Sequence, residues 1–197
     1  MVKQSSNKSE WLRVLKNSLG EILDQEFYEN FVEIVDALRA HKKTAFNRFL
    51  PLGEYFGDRW DRAFEYGFGE GSSIYDSAVV IGDVQVGDDT WIGPNTLLDG
   101  SGGLTIGSNC SISAGVQLYS HDSVEWATSG GEVEYQYEST QVGDNTYIGP
   151  NSIIAKGVTI GTGCIIGAQS FVNSDVADGQ RVAGTPAKIL MSQKTKR

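Results

Sequence analysis

Two histidines occur in the 197 residues of the chain, and one of them, His121, stands where an imidazole could act as a base. It lies in the stretch LYSHDS (118–123), followed at once by Asp122 and soon after by Glu125. An imidazole with an ordinary pKa of about 6.5 exchanges protons around neutrality. Held in place, it can take the proton from a hydroxyl. Either Asp122 or Glu125 could orient such a ring or favour its cation, and the sequence leaves that choice open. The bland alternative is that His121 makes a chain corner, since His is enriched at positive φ. His41 falls on the polar side of a helical pattern and is expected to be solvated. Cys110 and Cys164 are expected to be buried spacers, not a disulfide, metal ligands or nucleophiles. A covalent intermediate, which needs an exposed and activated nucleophile, is therefore not expected. Two histidines are also too few for a three-histidine zinc site, so no metal is expected.

The element that must position His121 is a repeat of six residues. Residues 142–177 read VGDNTY, IGPNSI, IAKGVT, IGTGCI, IGAQSF, VNSDVA. The first column is Val or Ile, the fourth Asn, Gly, Gln or Asp, and the fifth small: Thr146, Ser152, Val158, Cys164, Ser170 and Val176. A period of six fits neither a hairpin's alternation nor a helix. Fourth-column residues that tolerate positive φ bend the chain once per phrase, and three bends close a triangular coil. Stacked coils pair as parallel strands and bury what each leaves open. The fold class is therefore mainly β, a parallel β-helix.

The repeat begins at Ile74, admits two extra residues after Leu98, and resumes at Ile106. Counted three phrases per coil, Val86, Ile106, Val142 and Ile160 share one face. LYSHDS breaks the pattern, with Asp122 in the small column, and a local rule broken without structural gain marks a place to look for function. The chain then leaves the repeat over 123–141, a length of loop that is usually functional or disordered. Trp126, Tyr135 and Tyr137 favour order.

Before the repeat, Trp11, Leu15, Leu19, Leu23, Phe27, Phe31, Val35 and Leu38 mark two amphipathic helices between Ser9 and His41. They are expected to cap the solenoid end or to join subunits. The aromatic segment 44–73 is expected to lie over the first coil. The chain thus divides into a helical and linking region (1–73), the β-helix with its loop (74–177) and a tail (178–197). Its formal net charge of −9 argues against nucleic acid and anionic membranes as general partners. No signal core or membrane-length apolar run is present, so the expected location is cytoplasmic with no membrane insertion.

From about Phe68 to Leu190 the chain resembles the hexapeptide-repeat acyltransferases, especially sugar O-acetyltransferases of surface-polysaccharide pathways. The resemblance is carried by LYSHD, by VGDNTYIGPNSIIAKGVTIGTGCIIGAQSFVNSDV and by the closing VAGTPAKIL. It implies a left-handed winding, although the usual crossover rule favours the opposite hand. It also implies a homotrimer with acetyl-CoA bound between adjacent subunits and direct transfer in a ternary complex, with His121 as the general base. For the donor it implies backbone contacts at Gly149 and Ala168, polar contacts near Asn173 and a cation for the phosphates at Lys188. This chain has Ser174 where the family often has Lys, which leaves Lys188 or Arg181 to meet the phosphates. Asp99, Tyr119 and Trp126 are candidates for holding the acceptor. A sugar hydroxyl is the first acceptor expected, and the amine of a nucleotide-linked amino sugar the second. A non-catalytic scaffold is a third reading, against which the LYSHD break and the long loop weigh.

Overall fold

Three short strands per turn wind the repeat into a left-handed parallel β-solenoid in the computed structural model, which describes residues 25–190. The first face stacks Ser73–Ile74, Trp91–Ile92, Ser111–Ile112, Tyr147–Ile148, Ile165–Ile166 and Arg181–Ala183, all in parallel register. Leu98, Leu118, Ile154 and Val172 align on the second. On the third, Val86, Ile106, Val142 and Ile160 align as the phrase count expects, with a bridge onward to Val176. The register survives both interruptions because each returns the chain to the same corner.

The core is a stack of first-column residues. Ile74, Ile92, Leu98, Ile112, Leu118, Ile148, Ile154 and Ile166 are all fully buried, and each such side chain contributes about 1.5–3 kcal/mol by leaving water. The fifth column is buried too, and its hydroxyls and thiols bond to the neighbouring coil. Thr90 donates to the Gly107 carbonyl at 2.8 Å, Thr146 to Gly161 at 3.0 Å and Ser152 to Gly167 at 2.9 Å. Small polar residues are thus tolerated in the column because each finds a carbonyl, on the next coil for these three and in its own phrase for Thr96 and Ser170. Corners turn at positive φ on Asp89, Asn95, Asn109, Asn145, Asn151 and Gln169, as the fourth column requires.

Outward-facing side chains differ between faces. Gln85, Thr105, Gln141 and Thr159 make the third face polar and exposed, whereas Trp91, Tyr147 and Ile165 on the first and Leu97, Ile153 and Phe171 on the second are apolar. The last coil ends in a hairpin, with Lys188–Ile189 antiparallel to Arg181–Ala183.

The chain forms two compact units, Met1–Phe56 and Gly57–Arg197. In the solenoid unit, the helix Arg59–Glu65 packs against the first strand, and Ala63 and Phe68 join the solenoid core. A cap at this end is therefore supplied by the part of the aromatic segment that belongs to this unit, residues 57–73. In the other unit the helix Gln25–Phe46 runs beyond His41, and the buried Tyr55 accepts a hydrogen bond from the Leu50 amide at 3.0 Å. The first expected helix, with Trp11, Leu15, Leu19 and Leu23, lies outside the described residues. No helix among the described residues is long and apolar enough to cross a membrane.

Candidate active site

Where the chain leaves the repeat it forms a two-stranded antiparallel ribbon. His121–Asp122 is the outgoing strand and Gln136–Tyr137 the return strand, with His121 opposite Tyr137. His121 is thus in extended backbone and absent from the positive-φ corners. The corner explanation does not hold, because pairing with the return strand replaces the turn that the fourth column makes elsewhere. Between the strands, the short helix Val124–Thr128 and the aromatic side chains order the loop. The rings of Tyr137 and Tyr135 stack with the imidazole at centroid distances of 5.9 and 6.4 Å, and Trp126 meets Tyr135 edge-on at 5.4 Å.

His121 Nδ1 contacts Asp99 Oδ2. Asp99 lies on the neighbouring coil just before the two-residue insertion, which falls within 101–103, and its side chain is 1% exposed while that of His121 is 30% exposed. The carboxylate also accepts from the Ser101 amide at 3.0 Å, the Ser101 hydroxyl at 2.6 Å and the Ser120 amide at 3.2 Å. Burial pushes the Asp99 carboxyl up, but the hydrogen bonds from Ser101, His121 and Ser120 outweigh it and hold the group below its ordinary range. Asp99 is therefore an anion at neutral pH. An anion at Nδ1 keeps the ring proton there, which leaves the Nε2 lone pair as the acceptor.

This geometry corrects two expectations. Asp99, expected among the acceptor contacts, is buried behind the imidazole. Asp122 and Glu125, the two carboxylates expected to orient the ring, are engaged elsewhere. Asp122 accepts from the Val124 amide at 3.0 Å, and Glu125 accepts from the Gln136 side chain at 2.6 Å. The insertion after Leu98 and the loop after Ser123 lie on adjacent coils, with the Gly102 amide donating to Ser120 Oγ at 2.7 Å. Both interruptions of the repeat thus meet at one corner.

A hollow of about 420 Å³ opens beside His121, with Tyr119, Ile153, Ala155 and Phe171 as its apolar wall and Asp122 and Lys156 among its polar groups. Tyr119 is half-buried, its hydroxyl donating to Gln117 at 2.8 Å. Trp126 is exposed in the loop. Lys156 and Phe171, which the sequence reading passed over as ordinary repeat residues, are thus brought to the imidazole by coil stacking.

The residues implied for the donor form a different group. Gly149 and Ala168 sit on stacked coils, so close that a Cβ on Gly149 would fall 2.5 Å from the Ala168 nitrogen. A side chain there would force the coils apart. Asn173 is exposed just past the second face, and Lys188 is exposed in a second hollow of about 280 Å³ together with Ser174, Asp175 and Gln180. Cys110 and Cys164 are buried, and burial pushes the Cys110 thiol up, away from thiolate reactivity. Among the described residues, no group of three or more His, Cys, Asp or Glu side chains could hold a metal ion.

Comparison with known proteins agrees with this architecture. The bacterial transferase hexapeptide (six repeats) model matches residues 139–174, and the model for the hexapeptide repeat of succinyl-transferase matches residues 83–120. The acetyltransferase domain of PglB from Neisseria gonorrhoeae superposes with a TM-score of 0.51 at 25% identity over 62% of this chain. The chain spans half the length of that protein, covering 50% of it. AntD, an N-acyltransferase from Bacillus cereus solved with dTDP and 3-hydroxybutyryl-CoA, superposes with a TM-score of 0.56 at 24% identity, covering 62% of this chain and 70% of AntD. A mutant of AntD solved with dTDP-4-amino-4,6-dideoxyglucose and coenzyme A gives 0.55 at 20% identity, over 66% of this chain and 86% of that one. No curated protein matches the chain in sequence. With hexapeptide-repeat models matched on both sides of the His121 loop and a solenoid wound as in these structures, the chain has the hexapeptide-repeat β-helix fold.

Proposed function

We propose that the protein transfers an acyl group from a coenzyme A thioester to the amine of a nucleotide-linked amino sugar, with His121 as the general base. The observation that carries this reading is the imidazole held at Nδ1 by the buried Asp99 carboxylate and bordering an open hollow. His121 Nε2 takes the proton as the acceptor nitrogen bonds to the thioester carbonyl carbon. The carbon–sulfur bond then breaks, the amide remains on the acceptor, and the CoA thiolate regains a proton from the imidazolium. The buried cysteines favour direct transfer over an acyl-enzyme.

The choice of amine over hydroxyl reverses the order expected from the sequence. It rests on the dTDP and dTDP-amino sugar ligands of AntD, whose likeness extends to the fold alone. A specific observation keeps the hydroxyl as the second reading. A neutral amine is already nucleophilic, whereas a hydroxyl depends on a base, and a base backed by a buried carboxylate suits the harder acceptor. A mass-spectrometric screen with acetyl-CoA against nucleotide-linked amino sugars and their hydroxy counterparts tests the choice. An acyl mass gain on amino sugars is expected, and gain confined to the hydroxy compounds would favour the second reading.

For the donor, Lys188 remains the cation proposed for the nucleotide phosphates, with Gly149, Ala168 and Asn173 along the pantetheine arm, while Tyr119 and Trp126 remain proposed for the acceptor. Acetyl-CoA is expected to raise the melting temperature, because a ligand bound only by the native state stabilises it by mass action. Lys188→Ala should shrink that shift and leave the unliganded protein almost unchanged. Equal shifts in both proteins would remove Lys188 from the site.

A homotrimer remains the proposed assembly. Its support is the contrast between the polar third face and the other two, where Trp91, Tyr147 and Ile165 and then Leu97, Ile153 and Phe171 point outward with Ser111, Arg181 and Gln117 among them. Packing the first face of one copy on the second face of the next is a heterologous contact that can close into a ring and leave the polar face in water. Light scattering at micromolar concentration should give three times the chain mass of 21.4 kDa. A monomer would contradict the proposal.

A further inference from the structure

We infer that Lys156 is a positioning residue for His121, locking the ribbon that carries the base and setting the field in which the ring titrates. The inference rests on the reading of His121 as the base. Lys156 rises from the solenoid under the ribbon, with its side chain only 14% exposed. Its ammonium donates to Glu138 Oε1 at 2.7 Å and lies 3.5 Å from Gln136 Oε1 and 3.7 Å from Asp122 Oδ2. One cation thus ties the outgoing strand to the return strand. Gln136 passes the tie on to Glu125 in the short helix through a 2.6 Å bond. Gly157, at φ +75°, leaves the room this needs, since a Cβ there would fall on the Glu138 carboxylate.

The ring itself is held from two sides. Asp99 grips it at Nδ1, and the stacked Tyr137 lies on the return strand. Asp99 alone leaves the ring free to tilt about that contact, so the direction of Nε2 depends on the ribbon. A misplacement of about 1 Å in a reacting group costs on the order of 10²-fold in rate. An ion pair on open surface contributes little, and Glu138 is itself exposed, so the tie rests on one half-buried ammonium sharing three partners and not on a single pair.

The charges around His121 give the inference its distinguishing signature. Asp99 faces the ring from the neighbouring coil, Asp122 adjoins it on its own strand, Glu138 follows Tyr137 on the return strand, and Glu125 stands in the helix. Lys156 is the cation bonded into this group. The Glu138 hydrogen bond and its charge keep the Lys156 ammonium protonated. Neutralising Lys156 leaves the carboxylates uncompensated and favours the imidazolium, so the His121 titration moves to higher pH. Neutralising Glu138 moves it to lower pH.

Two readouts test this on the full chain. Ring NMR titration follows His121 directly, with His41 as the reference in the same spectrum, and needs no acceptor. Lys156→Gln should raise the His121 midpoint by about 0.5 to 1 pH unit, Glu138→Gln should lower it, and Lys156→Arg should restore it nearly to the parent. In steady-state transfer, Lys156→Gln should lower kcat by about 10- to 100-fold with the KM for acetyl-CoA within about 2-fold, and its acid limb should follow the NMR shift. An unchanged midpoint in Lys156→Gln overturns the inference, as does a loss of kcat that Lys156→Arg fails to rescue. If the parent transfers nothing to any acceptor, the proposed function fails by itself, and the titrations still decide the role of Lys156. Should Lys156→Gln not fold, Lys156→Arg and Glu138→Gln carry the test, and equal midpoints in Glu138→Gln and parent overturn it.

Discussion

His121→Asn is expected to fold, to bind acetyl-CoA as the parent does, and to lose about 10²- to 10⁴-fold in the rate of transfer. The substitution keeps a small polar side chain on the outgoing strand, where its backbone pairs with Tyr137. Asn can still donate from its amide to Asp99, so the buried carboxylate is not left unpaired. What it lacks is a group that accepts a proton near neutrality. The parental rate should rise with pH as the imidazolium is lost, and the variant should lose that rise along with the rate. A folded His121→Asn with parental activity and an unchanged pH profile would remove His121 from the chemistry.

Asp99→Asn should be nearly as damaging, on the order of 10²- to 10⁴-fold, and for a different reason. In the parent one carboxylate oxygen takes both Ser101 donors and the other takes the Ser120 amide and the imidazole. An amide must set its NH₂ against one of these donor groups whichever way it is turned. Placed at the imidazole, that NH₂ favours the tautomer with the proton on Nε2, where the lone pair is needed. Placed at Ser101, it strands buried donors, at about 1–3 kcal/mol, so the melting temperature should fall as well. Loss of the anion also disfavours the imidazolium, which moves any residual acid limb to lower pH, the opposite of Lys156→Gln. An Asp99→Asn protein with parental rate and limb would show that Asp99 merely fills the corner.

The two columns that build the solenoid were legible because a coil is a local object. Ile148 and Thr146 are buried for the same reason in every turn, and the fixed period carries Val86, Ile106, Val142 and Ile160 onto one face. His121 was legible as a broken phrase. Its partner was not. Asp99 precedes it by a full coil, and only stacking brings the insertion and the loop to one corner. The neighbouring carboxylates Asp122 and Glu125 were the natural choices along the chain, but the folded loop engages them with the Val124 amide and the Gln136 side chain. Lys156 had no signal of its own, sitting in IAKGVT like any third-column residue until the ribbon folds over it.

The most direct test of the proposed activity is the bond formed. The protein, acetyl-CoA and a dTDP-linked 4-amino sugar are incubated, and the product is weighed before and after treatment with alkaline hydroxylamine, which removes oxygen esters and spares amides. The expected result is an acetyl mass gain that survives the treatment, needs the amino group, and is lost in His121→Asn. A gain removed by hydroxylamine, or an equal gain on the 4-hydroxy counterpart, would contradict amine transfer and assign the site to a hydroxyl acceptor. No gain on any nucleotide-linked sugar, with acetyl-CoA intact, would contradict the proposed activity as a whole.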